Sequence, residues 1–226
     1  MTDASPLLSG RALTRDYRLG AETVRALRGV DIDISRADFV ALKGPSGSGK
    51  TTLINLLGLL DRPDAGELLL EGINTQGLSE NKRADVRRRH FGFVFQTFNL
   101  VPVLTAAENV AYPMTLDGRA GIAAMQRARE LLAAVGLADK ASTRPDLLSG
   151  GQRQRVAIAR ALANEPAVIF ADEPTANLDS KTADVILDLM QTLNLERGVA
   201  FVFATHDPRV VGCARRVINL HDGRVE

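Results

Sequence analysis

The feature that most constrains this chain is an eight-residue run, Gly44-Pro45-Ser46-Gly47-Ser48-Gly49-Lys50-Thr51. It matches the pattern G-x-x-x-x-G-K-S/T, in which glycines let successive backbone N–H groups curve around a polyphosphate. A short apolar run, Phe39 to Lys43, precedes it, and leucines at helical spacing follow it from Leu53 to Leu60. The run therefore predicts a phosphate-binding loop between a buried strand and a helix that Pro63 ends.

Within this loop, the chemistry of each side chain predicts a role. We expect Lys50 to reach the β- and γ-phosphates of a nucleotide and the Thr51 hydroxyl to ligate Mg²⁺. The nucleotide-binding segment then runs from Gly44 to Thr52. The alternative is a glycine-rich turn with a stray lysine, but from average residue usage the full pattern arises by accident in roughly one per cent of chains this long.

A pair of acidic residues follows another apolar run. Val168 to Ala171 predicts a buried strand, and Asp172 and Glu173 come directly after it. The carboxyl ends of strands in an open α/β sheet line the ligand crevice, where the phosphate loop also lies. We expect Asp172 to be a partner of Mg²⁺ and Glu173 to be the base that polarises an attacking water. The alternative is a strand end with solvated acids before the Pro174 turn.

Strands and helices alternate at both ends of the chain, which predicts an α/β fold with a mainly parallel sheet. The middle, from Thr105 to about Pro166, contains no strand pattern and reads as a helical insertion. Further strands are expected at residues 30–34, 67–70, 91–95, 199–204 and 216–220. Helices are expected where apolar residues recur at helical spacing: Ile122, Met125, Leu132 and Val135 before Gly136, and Val185, Ile186, Leu189, Met190 and Leu193 before Gly198.

Composition excludes several classes of protein. Lys and Arg total 28 against 27 Asp and Glu, so the positive excess typical of a nucleic-acid binder is missing. No apolar run approaches the ~20 residues that span a bilayer, and the N-terminus lacks the regions of a secretory signal. Cys213 is the only cysteine, and we expect an inert packing residue rather than a reactive thiol. The arginines at 83, 87, 88 and 89 are expected to form a solvated helix face.

A third motif lies between the first two. Leu148-Ser149-Gly150-Gly151-Gln152, with the phosphate loop before it and the acidic strand end after it, resembles the signature of ABC transporter ATPases. The likeness runs from about Tyr17 to the C-terminus. A Ser-Gly-Gly turn that opens a helix is also a second anion-binding helix N-terminus. Because one γ-phosphate does not need two such sites in one molecule, this motif suggests that two copies pair.

The resemblance implies roles for further residues. Tyr17 matches the aromatic residue that stacks on adenine, although it could equally be a strand residue that faces a core. Gln96 matches the glutamine that contacts Mg²⁺ or the attacking water, and His206 matches the switch histidine that contacts the γ-phosphate. Leu148 to Gln152 match the signature that touches the nucleotide of the partner copy. Asp179 matches the loop that links the two sites, and it could also be a helix N-cap.

The resemblance also implies the architecture. It predicts a P-loop NTPase core with an N-terminal antiparallel β subdomain, residues 1–95 and 166–226, and an inserted helical signature subdomain, residues 96–165, within a single domain 1–226. Because the sequence continues only briefly after the last expected strand, we expect no regulatory domain there.

The function implied is ATP binding and hydrolysis, with ATP and Mg²⁺ as ligands, in an ATP-dependent homodimer on an integral membrane permease. Such a protein would lie at the cytoplasmic face of the membrane. Residues 91–100 and 104–110 resemble the lipoprotein-release and macrolide-export branch, so a lipoprotein, peptide or macrolide-like cargo is implied. The alternatives are an ABC ATPase that signals mechanically through a membrane partner, one that acts on DNA or ribosomes, and an unrelated nucleotide kinase; the kinase would not need the signature.

Overall fold

Two β-sheets form the scaffold of the computed structural model, which describes residues 5–20 and 22–226. Helices cover the larger sheet, and a group of three helices lies in the sequence between the strands at residues 91–94 and 168–172. The strands are β1 Leu8–Leu19, β2 Glu22–Ile34, β3 Phe39–Lys43, β4 Ala65–Leu70, β5 Ile73–Asn74, β6 Phe91–Val94, β7 Val168–Asp172, β8 Ala200–Thr205, β9 Arg216–His221 and β10 Arg224–Val225. The helices are α1 Lys50–Leu57, α2 Glu80–His90, α3 Ala106–Leu116, α4 Ile122–Ala134, α5 Gly150–Ala161, α6 Ser180–Arg197 and α7 Pro208–Cys213.

The larger sheet has the strand order β10-β9-β3-β8-β7-β6. All its pairings are parallel except the short β9–β10 hairpin. Its central strands are continuous apolar runs, as strands covered on both faces require, and all six residues of β8 are buried. The expected α/β fold with a mainly parallel sheet is confirmed.

The smaller sheet is antiparallel, with the order β2-β1-β4-β5. In β2, Val30, Ile32 and Ile34 are buried while Asp31 is exposed, which is the alternation that the sequence predicts for a strand with one face on a core. β1 pairs with both β2 and β4. The N-terminal antiparallel β unit implied by the family resemblance is therefore present.

Helices α3, α4 and α5 occupy the stretch in which no strand was expected. One apolar cluster joins this helical group, for example through Leu131 and Val156, to Phe203 on one face of the parallel sheet. A second cluster joins the antiparallel sheet to the opposite face through α1. The subdomain bounds at 95/96 and 165/166 stay a prediction. No helix in the described part of the chain has both the length and the apolar character needed to cross a membrane.

Two helix expectations need correction, the end of α1 and the buried stripe of α6, while α4 is present at the expected residues. Helix α1 ends at Leu57 with Gly58 as its C-cap, well before Pro63, and Leu60 is exposed. The chain turns there because Leu59 adopts a left-handed conformation with φ 57°. Ile122 is the first residue of α4 and is 88% exposed, so it does not belong to the buried stripe. Val185 is likewise exposed, because α6 buries Ala183 and Leu187 instead.

The expectation that the basic run is a solvated face is wrong for most of the run. Arg83 is 2% exposed and donates to the carbonyl oxygens of Leu59, at 2.9 Å, and Asp61, at 2.6 Å. Arg87 donates to the same Leu59 carbonyl at 2.7 Å. Only Arg89 has a largely exposed side chain. Arg83 and Arg87 therefore bind the carbonyls of the turn that follows α1, since an irregular turn leaves such groups without backbone partners.

Candidate functional site

Three strand ends bring the candidate site together. In the register of the parallel sheet, Lys43 at the end of β3 lies beside Thr205 of β8, and Asp172 at the end of β7 lies beside Ala204. Parallel strands end at the same edge of a sheet, so the segments that follow them share one crevice. The phosphate loop, the acidic pair and His206 are those segments.

The phosphate loop has the backbone that its glycines permit. Gly49 has φ 103°, and an added Cβ there would lie 2.4 Å from the carbonyl oxygen of Ala26. The first turn of α1 receives no hydrogen bond from a capping side chain. Its N–H groups and the positive end of the helix dipole therefore remain available to an anion. The Lys50 ammonium donates to the carbonyls of Gly44, at 2.7 Å, and Pro45, at 2.9 Å, within this loop.

Thr51 and Asp172 meet across the sheet edge. The Thr51 hydroxyl lies 3.1 Å from Oδ1 and 3.0 Å from Oδ2 of Asp172, although 121 positions separate the two residues. Burial raises the pKa of the Asp172 carboxyl, and the negative charge of Glu173 adds to this effect, while Thr51 and Lys50 oppose it. A hydroxyl beside a carboxylate is a pair of hard oxygen donors, so these residues fit Mg²⁺.

Glu173 is held by three donors from the end of β8. Its Oε1 lies 2.6 Å from Nδ1 of His206 and accepts from the His206 backbone N–H at 3.2 Å, and its Oε2 accepts from the Thr205 hydroxyl at 3.1 Å. The Glu173 backbone is left-handed, with φ 43°, and its N–H donates to Ala204. Because these contacts leave few rotamers open, the carboxylate has a fixed direction. His206 itself is exposed.

Gln96 lies in a different environment. Its side chain is exposed, and its backbone carbonyl accepts from the Asn177 amide at 2.8 Å. Among the hydrogen bonds of residues 5–20 and 22–226, none joins the Gln96 side chain to Thr51 or Asp172. The structure therefore brings Gln96 to the loop before α6, and its expected contact with Mg²⁺ or water stays a prediction.

The signature turn opens α5. Ser149 is the N-cap, and it forms a capping box with Gln152: the Gln152 N–H donates to the Ser149 hydroxyl at 3.3 Å, and the Ser149 N–H donates to the Gln152 side chain at 2.9 Å. A Cβ on Gly151 would lie 2.4 Å from Cγ2 of Thr182. Asp179 is the N-cap of α6, as expected, and its carboxylate accepts from Thr182. The signature turn thus packs directly against the start of α6.

Tyr17 does not face a core. Its hydroxyl donates to Asp61 at 2.9 Å, and the guanidinium of Arg15 lies 4.9 Å from the centre of its ring. The ring is half-buried at the surface of β1. The expected contact of Tyr17 with a nucleotide base stays a prediction.

The sequence model of the ABC transporter family matches residues 27–176, about two thirds of the chain. The matched part contains the phosphate loop, the signature turn and the acidic pair. The chain belongs to the ABC transporter family. It is an ATP-binding subunit of this family with ATPase chemistry.

Relatives of this ABC transporter subunit cover nearly its whole length. The macrolide export ATP-binding/permease protein MacB of Syntrophobacter fumaroxidans is 48% identical over 97% of the chain, which spans only 31% of that longer protein. The lipoprotein-releasing system ATP-binding protein LolD of Roseobacter denitrificans is 44% identical over 98% of both chains. A dimeric post-hydrolysis structure of the ATP-binding cassette MJ0796, bound to ADP and Pi, superimposes with a TM-score of 0.89 at 44% identity, covering 97% of this chain and 96% of that one.

Sequence reasoning missed one part of this ABC site. Asp207 accepts from the Thr175 hydroxyl at 2.8 Å and forms a bidentate pair with Arg209, whose Nη1 also donates to the Ser180 carbonyl. The Arg209 hydrogen bonds lower the pKa of Asp207 to about 2, and the Thr175 hydroxyl contributes. This pair joins the His206 loop to the start of α6. The signal in the sequence was Asp207-Pro208, since Asp is a common N-cap and Pro a common first helical residue.

Proposed function

We propose that this chain binds ATP with Mg²⁺ in the crevice at residues 44–52, hydrolyses it, and works as a pair of copies on a separate integral membrane permease. The observation that carries the proposal is the meeting of the phosphate loop with Asp172 and with the Glu173–His206 pair at one sheet edge. This arrangement offers an anion cradle, a pair of oxygen ligands and a directed carboxylate base. Those are the parts that phosphoryl transfer to water requires.

Each residue of the crevice has a separate role in the proposed hydrolysis. The loop N–H groups and Lys50 hold the β- and γ-phosphates and oppose their growing negative charge. Glu173 orients the attacking water and accepts its proton, and its contact with Nδ1 of His206 leaves the other ring nitrogen free to face the γ-phosphate. Mg²⁺, when bound between Thr51 and Asp172, would neutralise phosphate charge. Gln96 would contact the metal or the water from the start of the helical segment.

The signature turn supports the pairing of two copies. Its helix N-terminus is a second anion site, and in this chain it packs against residues 177–182 rather than forming part of the phosphate loop. In the proposed dimer, Ser149 to Gln152 of one copy would complete the γ-phosphate site of the other, next to Asp179. The dimeric MJ0796 structure, which has a similar chain, is consistent with this assembly. ATP would then favour the closed pair because only that state makes both sets of contacts.

A surface cavity supports the proposal that a membrane partner binds this chain. It has a volume of about 540 Å³, lies where α2 and α3 approach β6, and has walls that include Phe93, Phe95, Tyr112 and Leu116. It adjoins the segment after Gln96, through Asn99. An apolar cavity of this size fits side chains of a partner helix better than it fits solvent. The permease would place this chain at the cytoplasmic face of the membrane, and a lipoprotein, peptide or macrolide-like cargo would be recognised by the permease.

The test replaces Glu173 with Gln. Glu173→Gln keeps the shape and removes the base, so we expect hydrolysis to fall by at least about a hundredfold while ATP is still bound. A stable dimer of the variant should then accumulate in the presence of ATP, as measured by size-exclusion chromatography with light scattering. Undiminished hydrolysis would remove Glu173 from its role.

A second substitution tests the pairing of two copies separately from the catalytic role of Glu173. Adding Ser149→Arg to Glu173→Gln should abolish the ATP-induced dimer, because a bulky cation would enter the space opposite the partner's phosphate loop. Binding of a fluorescent ATP analogue by the monomer should be unchanged. If the double variant still dimerises with ATP, the signature turn is not part of the interface.

A further inference from the structure

The Asp61 carboxylate joins two residues of β1, Arg15 and Tyr17, which lie more than 40 positions before it in the sequence. It accepts the Tyr17 hydroxyl at 2.9 Å, and it accepts Nε and Nη2 of Arg15, each at 2.9 Å. Arg15 also lies over the Tyr17 ring, 4.9 Å from the ring centre. One carboxylate thus fixes both the aromatic ring and the cation that covers one of its faces.

Asp61 is itself held at its backbone. Its N–H donates to the Asn55 carbonyl at 3.1 Å, and its carbonyl accepts from Arg83 at 2.6 Å. Arg83 and Arg87 also bind the preceding left-handed residue, Leu59. Arg83 and Arg87 therefore have a structural role: they fix the turn that presents the Asp61 carboxylate to β1.

The strand register places this network beside the phosphate loop. Tyr17 pairs with Val24 on β2, and two residues further along β2 the Ala26 carbonyl approaches Gly49 so closely that a Cβ would not fit. Two strand residues span roughly 7 Å. The Tyr17 ring therefore lies within the reach of a nucleotide whose phosphates occupy the loop, and Arg15 lies over one of the two faces of the ring.

We propose that Asp61 is a positioning residue for the nucleotide base: it holds the Tyr17 ring, with Arg15 behind it, so that the adenine stacks on the other face. This inference rests on the proposed function, ATP binding in the crevice at residues 44–52, and on the contact between Tyr17 and adenine that the family resemblance implies. A ring that is fixed before binding loses less conformational freedom when the base arrives, so the effect falls on nucleotide affinity and not on the chemical step.

The experiment measures kcat and KM for ATP in Asp61→Ala, Tyr17→Phe and the double variant. Tyr17→Phe keeps the ring and removes only the hydroxyl that Asp61 accepts. Each single variant should raise KM about three- to tenfold with kcat unchanged, which is on the scale of one base-stacking contact. The KM of the double variant should not exceed the higher of the two single-variant KM values, because both substitutions remove the same interaction. Additive effects, or an unchanged KM in Asp61→Ala, would overturn the proposal.

Two controls separate positioning from damage to the fold. Asp64→Ala removes the other carboxylate on Arg15, at 2.7 Å, without touching Tyr17, so its KM should stay at the wild-type value. Inorganic tripolyphosphate carries no base, so its inhibition constant should be the same in Asp61→Ala as in wild type. A parallel rise of that constant would show that Asp61 supports the phosphate loop instead, and would also overturn the proposal.

The proposed function can fail independently. Tyr17→Ala removes the ring, and an unchanged KM in this variant would refute the contact between Tyr17 and adenine together with the inference that rests on it. A raised KM in Tyr17→Ala with an unchanged KM in Asp61→Ala would leave the contact between Tyr17 and adenine standing and refute the role of Asp61 alone, while Glu173→Gln tests the proposed function separately.

Discussion

Arg83 offers the sharpest test of how this fold is stabilised. Its side chain is 2% exposed and donates to two carbonyls, but Leu59 keeps Arg87 as a partner if Arg83 is lost. Arg83→Met keeps most of the apolar stem and leaves the Asp61 carbonyl without its donor. A hydrogen bond from a charged donor contributes about 1.5–3 kcal/mol, and the partly buried Asp61 carbonyl loses its donor, so we expect a loss of about 2–3 kcal/mol.

The measurement is thermal unfolding of the nucleotide-free chain. For a domain of this size, 1 kcal/mol corresponds to about 2–4 °C, so Arg83→Met should lower Tm by about 5–10 °C. Arg89→Met is the matched control: it lies on the same helix, is 66% exposed, and has only a 3.8 Å ion pair with Asp117. Its Tm should stay within about 2 °C of wild type. Equal Tm values for the two variants would refute the view that Arg83 stabilises the turn after α1.

Two further predictions concern the links between the site segments. The hydrogen bonds from Arg209 lower the pKa of Asp207 from 3.8 to about 2, so its pairing contributes about 2 kcal/mol to the free energy of unfolding. This contribution is present above about pH 4 and is lost as the pH falls towards 2. The free energy of unfolding of Asp207→Asn in urea should therefore depend less on pH in that window. Gly151→Ala should lower Tm because its methyl group would lie 2.4 Å from Cγ2 of Thr182. Adding Thr182→Ser, which removes that methyl and keeps the hydroxyl on Asp179, should restore it, and a failure to rescue would contradict the steric explanation.

The parallel core could be predicted from sequence because its signals are local. The run from Phe39 into the phosphate loop and the run from Val168 into Asp172 each contain a whole strand and the functional residue after it. Since parallel strands end at one edge, the meeting of Thr51 with Asp172 follows from two short segments. The signature turn could likewise be predicted as a helix start, because Ser149 and Gln152 have the spacing of a capping box.

What could not be predicted depends on contacts between distant segments. Charge and helical spacing cannot show that Arg83 reaches a turn more than 20 residues away, so a solvated face was the natural expectation. The network of Arg15, Tyr17 and Asp61 joins a strand to the turn after α1 and has no motif of its own. Val185 shows the reverse error, because this apolar residue at helical spacing is exposed on α6, outside the buried stripe.

Three of the left-handed non-glycine residues lie at or near residues with expected functions. Glu173 itself is one, and Phe98 and Asn99 follow Gln96 with φ 62° and 48°. Such backbone costs about 1–2 kcal/mol per residue without glycine, so surrounding contacts must offset it. Arg160 of α5 does this by donating to the carbonyls of Phe98 and Asn99, as Ala204 does by accepting the N–H of Glu173. The helix that the signature turn opens therefore also holds the segment after Gln96, so a shift of α5 cannot leave that segment unchanged.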